Sequence, residues 1–141
     1  MKITEVTSRR HRKEFHDFPR KLYRNDPNWV CPLDSEIEGI FDPARNHTFK
    51  NGEAIRWILS NDQGQTIGRV AAFIDRVRSA AQKQPTGGLG FFEVTDNRDA
   101  AFMLFDTAKA WLAERGMEAM DGPVNFGEND NFWGLLVDGF M

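Results

Sequence analysis

The sequence is poor in the residues that build several familiar kinds of site. Cys31 is the sole cysteine among 141 residues, so no intrachain disulfide can form and a disulfide-stapled secreted scaffold is excluded. Nothing in the neighbouring sequence sets a base beside that thiol, and it reads as a small hydrophobe rather than a nucleophile. The three histidines, His11, His16 and His47, are scattered without a His-x-x-x-His spacing, so no metal site is expected. No run approaches the roughly 18 apolar residues that a membrane-spanning helix needs, and Met1-Lys2-Ile3-Thr4-Glu5-Val6 lacks the apolar core of a signal peptide. A net charge of -3 gives no electrostatic footprint for nucleic acid. The one dense basic run, Arg9-Arg10-His11-Arg12-Lys13, is followed closely by Glu14 and Asp17 and reads as a solvated helix face rather than a phosphate-binding patch. The expectation is a cytoplasmic protein that binds neither nucleic acid nor membrane.

What is present suits one globular domain over residues 1–141, with 40% apolar and 28% charged residues. Residues 2–7 suit a short first strand, and Ser8 suits the N-cap of a basic helix that turns Phe15 and Phe18 inward. Pro19 deletes a hydrogen bond and crowds the preceding turn, so two helical pieces are expected, the second carrying Leu22 and Tyr23. Residues 29–52, interrupted by Pro32, Gly39 and Pro43, read as loop with at most a short helix near 33–40. Residues 54–60 and 66–74 flank the turn Asn61-Asp62-Gln63-Gly64-Gln65 and predict an antiparallel hairpin. A connector ending in Thr86-Gly87-Gly88 leads to a strand over 89–94, with Phe91 and Glu93 on one face and Phe92 and Val94 on the other.

The clearest helix is predicted over 99–115, with a stripe of Ala101, Phe102, Phe105, Ala108, Trp111 and Leu112. Asp96 or Asn97 caps its start, and Gly116 marks its end. A strand over 117–125, parallel to the one before the helix, completes a right-handed crossover. A last short helix is expected from Asn129 through Val137. Trp29, Trp57, Trp111 and Trp133 read as core aromatics.

This order of elements is similar to the GNAT superfamily, whose members pass an acyl group from coenzyme A to an amine. Thr66-Ile67-Gly68-Arg69-Val70-Ala71-Ala72 resembles a strand common in that fold, and Asn129 to Gly139-Phe140 resembles its closing segment. Phe18-Pro19-Arg20-Lys21-Leu22-Tyr23, Phe91-Phe92-Glu93 and Gly122-Pro123-Val124-Asn125-Phe126 also resemble phrases of a longer, poorly characterised bacterial GNAT-like group. The resemblance implies an α/β (α+β) fold: a mixed, mainly antiparallel sheet flanked by helices and lacking the last strands, as the opening portion of a larger protein.

It also implies roles. Acetyl-CoA or another acyl-CoA would lie along Phe92 and Val94, with its pyrophosphate at the helix start near Arg98 and Ala101. In the family's phosphate signature Arg98 fits, while Ala101 and Met103 occupy the small positions and Asp96 and Asp99 add negative charge. Glu93 is the candidate base, with pairing to Arg56 or Arg69 as the competing reading. The family's tyrosine acid would fall near Leu135 and Leu136, whereas the sole tyrosine is Tyr23. Asn125 and Asn129, after a strand end, are candidate substrate contacts, with turn and cap roles as the alternative. The implied function is acyl transfer from coenzyme A to an amine; the alternative is a non-catalytic GNAT-like module. An open edge along 117–125 implies a homo-oligomer or a missing C-terminal portion packed on residues 117–141.

Overall fold

A computed structural model describes residues 1–77 and 84–122, and the backbone of 135–138. Along the chain run β1 (Lys2–Glu5), α1 (Arg9–Leu22), α2 (Asp34–Phe41), a 3-10 turn (His47–Asn51), β2 (Gly52–Ser60), β3 (Thr66–Asp75) and β4 (Thr86–Val94). Then come α3 (Arg98–Glu114), β5 (Ala119–Gly122) and β6 (Leu135–Asp138). The strands of the described residues lie side by side in chain order as one six-stranded sheet. Neighbours are antiparallel except β4 and β5, which run parallel. This is the mixed, mainly antiparallel sheet with flanking helices that the sequence suggested.

Alternation along the strands sends side chains to two different layers. Trp57, Leu59, Val70, Ala72 and Ile74 meet Ala100, Leu104, Ala108 and Leu112 of α3. On the opposite face Phe15, Ile37 and Ile58 form one cluster, and Ala71 with Phe73 forms another, under α1 and α2. Full burial of a Leu or Ile side chain contributes about 1.5–3 kcal/mol, so the α3 layer is the larger source of stability. Two glycines let α3 lie close to the sheet. A Cβ at Gly68 would stand 2.6 Å from Leu104 Cδ1, and one at Gly87 only 2.5 Å from Leu112 Cδ2.

That contact explains a correction. Thr86-Gly87-Gly88, expected in the connector, opens β4 and pairs with Ala119, Met120 and Asp121 of β5. At Gly87 the missing side chain leaves room for Leu112 of the helix that crosses above it. The stripe on α3 also shifts: Phe102 is 54% exposed, and Ala100 and Leu104 take the buried positions. Asn97 is the cap, accepting from the Ala100 amide at 3.1 Å. Gly116 ends the helix at φ 83°.

Helix α1 corrects a second expectation. It is one helix with Pro19 inside, not two pieces. Pro19 has no N–H to give the Phe15 carbonyl four residues back. That carbonyl instead accepts from Arg69 Nη1 of β3 at 2.9 Å, so the lost bond is replaced from outside the helix. Ser8 caps the start as expected, with its hydroxyl accepting from the His11 amide at 3.1 Å. The short helix expected in the 29–52 segment is α2, whose buried anchor is Ile37.

At the far end of the sheet, residues 135–138 form strand β6 rather than the end of a helix, pairing antiparallel with β5. Backbone groups on the outer edge of β5 find partners in β6, so the open edge expected along 117–125 is covered over Ala119–Gly122. The rest of the expected helix, 129–134, lies outside the described residues, as do 123–125 and Trp133.

Candidate functional site

Strand β4 carries an irregularity at its centre. The ladder to β3 pairs Ala71 with Gly90 and Arg69 with Glu93, so Phe91 and Phe92 together oppose Val70. This is a β-bulge, which interrupts the ladder and bends the strand. Phe91 adopts φ 49°, a conformation that a bulky residue rarely takes without compensation. The compensation is aromatic packing: its ring lies 5.8 Å from that of Phe15, 5.7 Å from Phe41 and 6.3 Å from Phe73. The pairing of β4 with β5 ends at Gly88 and Asp121, whereas β4 runs on to Val94. The bulge therefore sits just past the last parallel pair, toward the carboxyl end of β4, where ligands gather in open α/β sheets.

Helix α3 begins four residues after β4. Asn97 satisfies the amide of Ala100 with its side chain and that of Ala101 with its carbonyl. The amides of Arg98 and Asp99 belong to the first turn, which has no intrahelical acceptors, and they add to the positive end of the helix dipole. The Arg98 guanidinium lies 5.5 Å from the Phe102 ring. Met103, which fills a small position of the family signature, packs against the α3 layer of the core. The tightly confined small residue is Ala100, at 0% exposure.

On the opposite face, charge is buried in quantity. Arg69 is 3% exposed; its Nη2 donates to Glu93 Oε1 at 2.5 Å and its Nε to the same oxygen at 3.2 Å. Burial pulls the Arg69 guanidinium down from its ordinary value, against the opposing attraction of Glu93. Tyr23, just past the end of α1, is pushed up to about 12, first by burial and then by the neighbouring Glu93 carboxylate. The hydroxyl therefore stays protonated near neutral pH. Arg56 meets a different acid. Its two terminal nitrogens reach Glu38 of α2 at 2.6 and 2.8 Å. Burial alone would raise the Glu38 carboxyl, but the Arg56 fork outweighs it and the net displacement is downward.

His16 joins this second cluster, its Nε2 lying 2.7 Å from Glu38 Oε2. Among the described residues its buried Nδ1 has no hydrogen-bond partner, and Asp34 Oδ1 stands 3.9 Å away. Aromatic faces complete the layer: Arg56 lies 4.3 Å from the Phe41 ring centroid and Arg69 4.6 Å from that of Phe15.

No family model matches the chain. Over 131 residues it is 32% identical to Protein YghO of Escherichia coli (strain K12), covering 91% of this chain and 32% of that protein. Over 133 residues it is 34% identical to the bacterial ceramide synthase of Caulobacter vibrioides (strain NA1000 / CB15N), covering 91% of this chain and 33% of that protein. The chain thus spans about a third of the length of these curated relatives. Among solved structures it is similar to a tandem GNAT protein from the clavulanic acid biosynthesis pathway, with TM-score 0.66 and 12% identity over 87% of this chain and 36% of that one. A GNAT family acetyltransferase from Brucella melitensis, solved in complex with acetyl-CoA, gives TM-score 0.57 and 16% identity over 96% of this chain and 84% of that one.

The chain has the GNAT fold. Within it, the residues expected from sequence are divided among places. Phe92 and Val94 pack toward α3, while Glu93 projects to the α1 side. Arg98 and Ala101 lie in the first turn of α3. Asn125 and Asn129 lie outside the described residues, and Leu135 and Leu136 belong to β6. Glu93 pairs with Arg69, one of its two expected partners, and Arg56 takes Glu38 instead. Sequence reasoning missed the bulge at Phe91, the role of Arg69 and the reach of Tyr23. One signal was legible: a proline four residues after Phe15 frees a carbonyl that something else must bind. Among the described residues no three His, Cys, Asp or Glu side chains gather as a metal site, and no helix is long and apolar enough to cross a membrane.

Proposed function

We propose that this chain is the acyl-CoA-binding unit of an N-acyltransferase. The observation that carries the reading is the conjunction at the end of β4: a parallel β4–β5 pairing that stops at Gly88, a bulge at Phe91 and the start of α3 at Arg98. An interrupted ladder leaves strand amides and carbonyls for an extended amide-bearing molecule, and a helix start attracts the phosphates that such a cofactor carries. Acyl-CoA supplies both features and the activated thioester. The residues fit it in part. The amides of Arg98 and Asp99 and the Arg98 side chain favour a pyrophosphate, while the Asp99 carboxylate opposes it.

Acyl transfer to an amine requires that the attacking nitrogen lose its proton. Glu93 projects from β4 two residues past the bulge and is our candidate to take that proton. Arg69 fixes its orientation. Support for an amine acceptor comes from the Caulobacter relative: ceramide is an amide, so that protein's name describes acyl transfer to nitrogen. The pairing of Glu93 with Arg69 favours a second reading, a GNAT-fold module that binds acyl-CoA or another small molecule without catalysis.

Calorimetric titration with acetyl-CoA tests the first step. Heat of binding that falls severalfold in Arg98→Ala is expected; silence at millimolar cofactor would sink the acyl-CoA reading. Where binding is seen, loss of amide formation in Glu93→Gln with cofactor affinity retained separates the enzyme from the module.

A further inference from the structure

The outer side of α1 and the loop beyond it form a continuous surface of two kinds. Residues 8–24 hold seven Lys and Arg against Glu14 and Asp17, a surplus of five cations in a chain whose net charge is -3. Arg9, Arg10, Lys13, Lys21 and Arg24 are exposed; helical spacing aligns the first four along one side of α1, and Arg24 follows just past its end. Glu14 and Asp17 are neutralised where they stand: Arg10 lies 3.5 Å from Glu14, and Lys13 lies 2.7 Å from Asp17. Among the described residues Arg9, Lys21 and Arg24 form no ion pair.

The second part is apolar. Val30 is 82% exposed and Leu33 62% exposed, with Cys31 and Pro32 exposed between them. This lip is fastened to the end of α1. Trp29 lies against Tyr23 with ring centroids 5.2 Å apart, and Arg20 Nε donates to Cys31 Sγ at 3.1 Å. Leu33 also occupies the N-cap of α2 without any side-chain cap bond, a position where Ser, Asp or Asn would stabilise the helix.

We propose that the outer face of α1 and the 30–33 lip dock on an anionic lipid bilayer. Val30 and Leu33 enter the boundary of the acyl chains, and the unpaired cations meet the phosphates. A basic stripe beside protruding aliphatic side chains is the chemistry of interfacial binding. Single-stranded nucleic acid would call instead for open aromatic faces, and Trp29 is already engaged by Tyr23. Exposed Asp26 and Glu36, with Asp34 held by Arg20, lie beside the lip and keep the attachment reversible. This departs from the expectation of no membrane partner, which rested on the lack of a spanning run and a signal peptide; lying on a surface needs no apolar run. The proposal goes beyond acyl transfer and does not depend on it.

Flotation with vesicles of phosphatidylcholine, alone or mixed with phosphatidylglycerol, tests it. The chain should float only with the mixed vesicles and be released by salt, because screening weakens exposed charges. Val30→Asp/Leu33→Asp should abolish flotation. Arg9→Glu/Lys21→Glu/Arg24→Glu should weaken it on the order of a hundredfold. Val77→Asp, at a residue 67% exposed elsewhere, should leave it unchanged, with circular dichroism confirming that all variants fold. Absence of flotation, indifference to headgroup charge, equal loss in the Val77 variant, or binding only to RNA or an acidic protein would each overturn the proposal. Acetyl-CoA titration needs no lipid, so either idea can fail while the other stands.

Discussion

The two faces of the sheet are built on different principles. Against α3, Leu104, Leu112, Val70 and Ile74 form an aliphatic layer. Against α1 and α2, Phe15, Phe41, Phe73 and Phe91 share the space with Arg56 and Arg69, which stand over the rings. An aliphatic layer tolerates repacking, because its contacts are non-directional and depend on volume. A layer of guanidinium groups tolerates little, since each buried donor must keep its acceptor. The α3 face thus holds the fold together, and the α1–α2 face fixes side chains near the β4 bulge in defined directions.

The largest effect should come from breaking the charged face. Arg69→Met strands Glu93 and the Phe15 carbonyl, and removing one partner from a buried pair costs about 3–5 kcal/mol. Urea unfolding should show that loss, and Arg69→Met/Glu93→Met should recover part of it. On the aliphatic face, Leu104→Ala should cost about 2–5 kcal/mol, whereas Leu104→Met should stay under about 1.5 kcal/mol. Equal tolerance of Arg69→Lys would contradict the contrast, because an ammonium cannot reproduce the fork.

A smaller effect concerns Glu38. Its carboxyl lies below the ordinary value in the fold, so its contribution is complete above the unfolded carboxylate pKa, about 4.3. It is lost as pH falls through the lower folded value. Urea midpoints measured downward from pH 7 should therefore drop less steeply below pH 5 in Glu38→Gln than in the parent chain. The smallest effect is spectroscopic. Tyr23 is the sole tyrosine, so absorbance of the phenolate reports it alone. Its titration should centre near pH 12 and move part of the way back toward about 10 in Glu93→Gln. Because the folded value is raised, this group stabilises the fold below about pH 10 and ceases to as pH rises through the folded value.

Much of this architecture could be read in advance, because its signals are local. The hairpin around Asn61-Asp62-Gln63-Gly64-Gln65, the Ser8 and Asn97 caps and the Gly116 terminus each follow from a few adjacent residues. The failures share one cause. Pro19 was read by what it does to its own helix, and the repair comes from Arg69, 50 residues away. Gly87 was read as the end of a connector, and its reason is Leu112 of a helix that crosses above it. Residues 135–138 were read by analogy with a closing helix, and strand pairing with β5 prevailed. The bulge at Phe91 had one local signal that was not used, Gly90 inside the strand beside it; nothing in Phe91 itself announces a positive φ. At the candidate site the sequence offered Arg98 and Glu93, the latter with Arg56 or Arg69 as its partner, but not which arginine pairs or that Glu38 takes the other.

The proline in α1 has a consequence for the order in which the chain assembles. A helix whose missing bond is supplied by a strand made later is a conditional helix. During synthesis residues 9–22 emerge well before Arg69 exists to complete them, and until then the Phe15 carbonyl has only water. The first helix of the chain is thus finished no earlier than its third strand, and its completion reports that β3 has taken its place in the sheet.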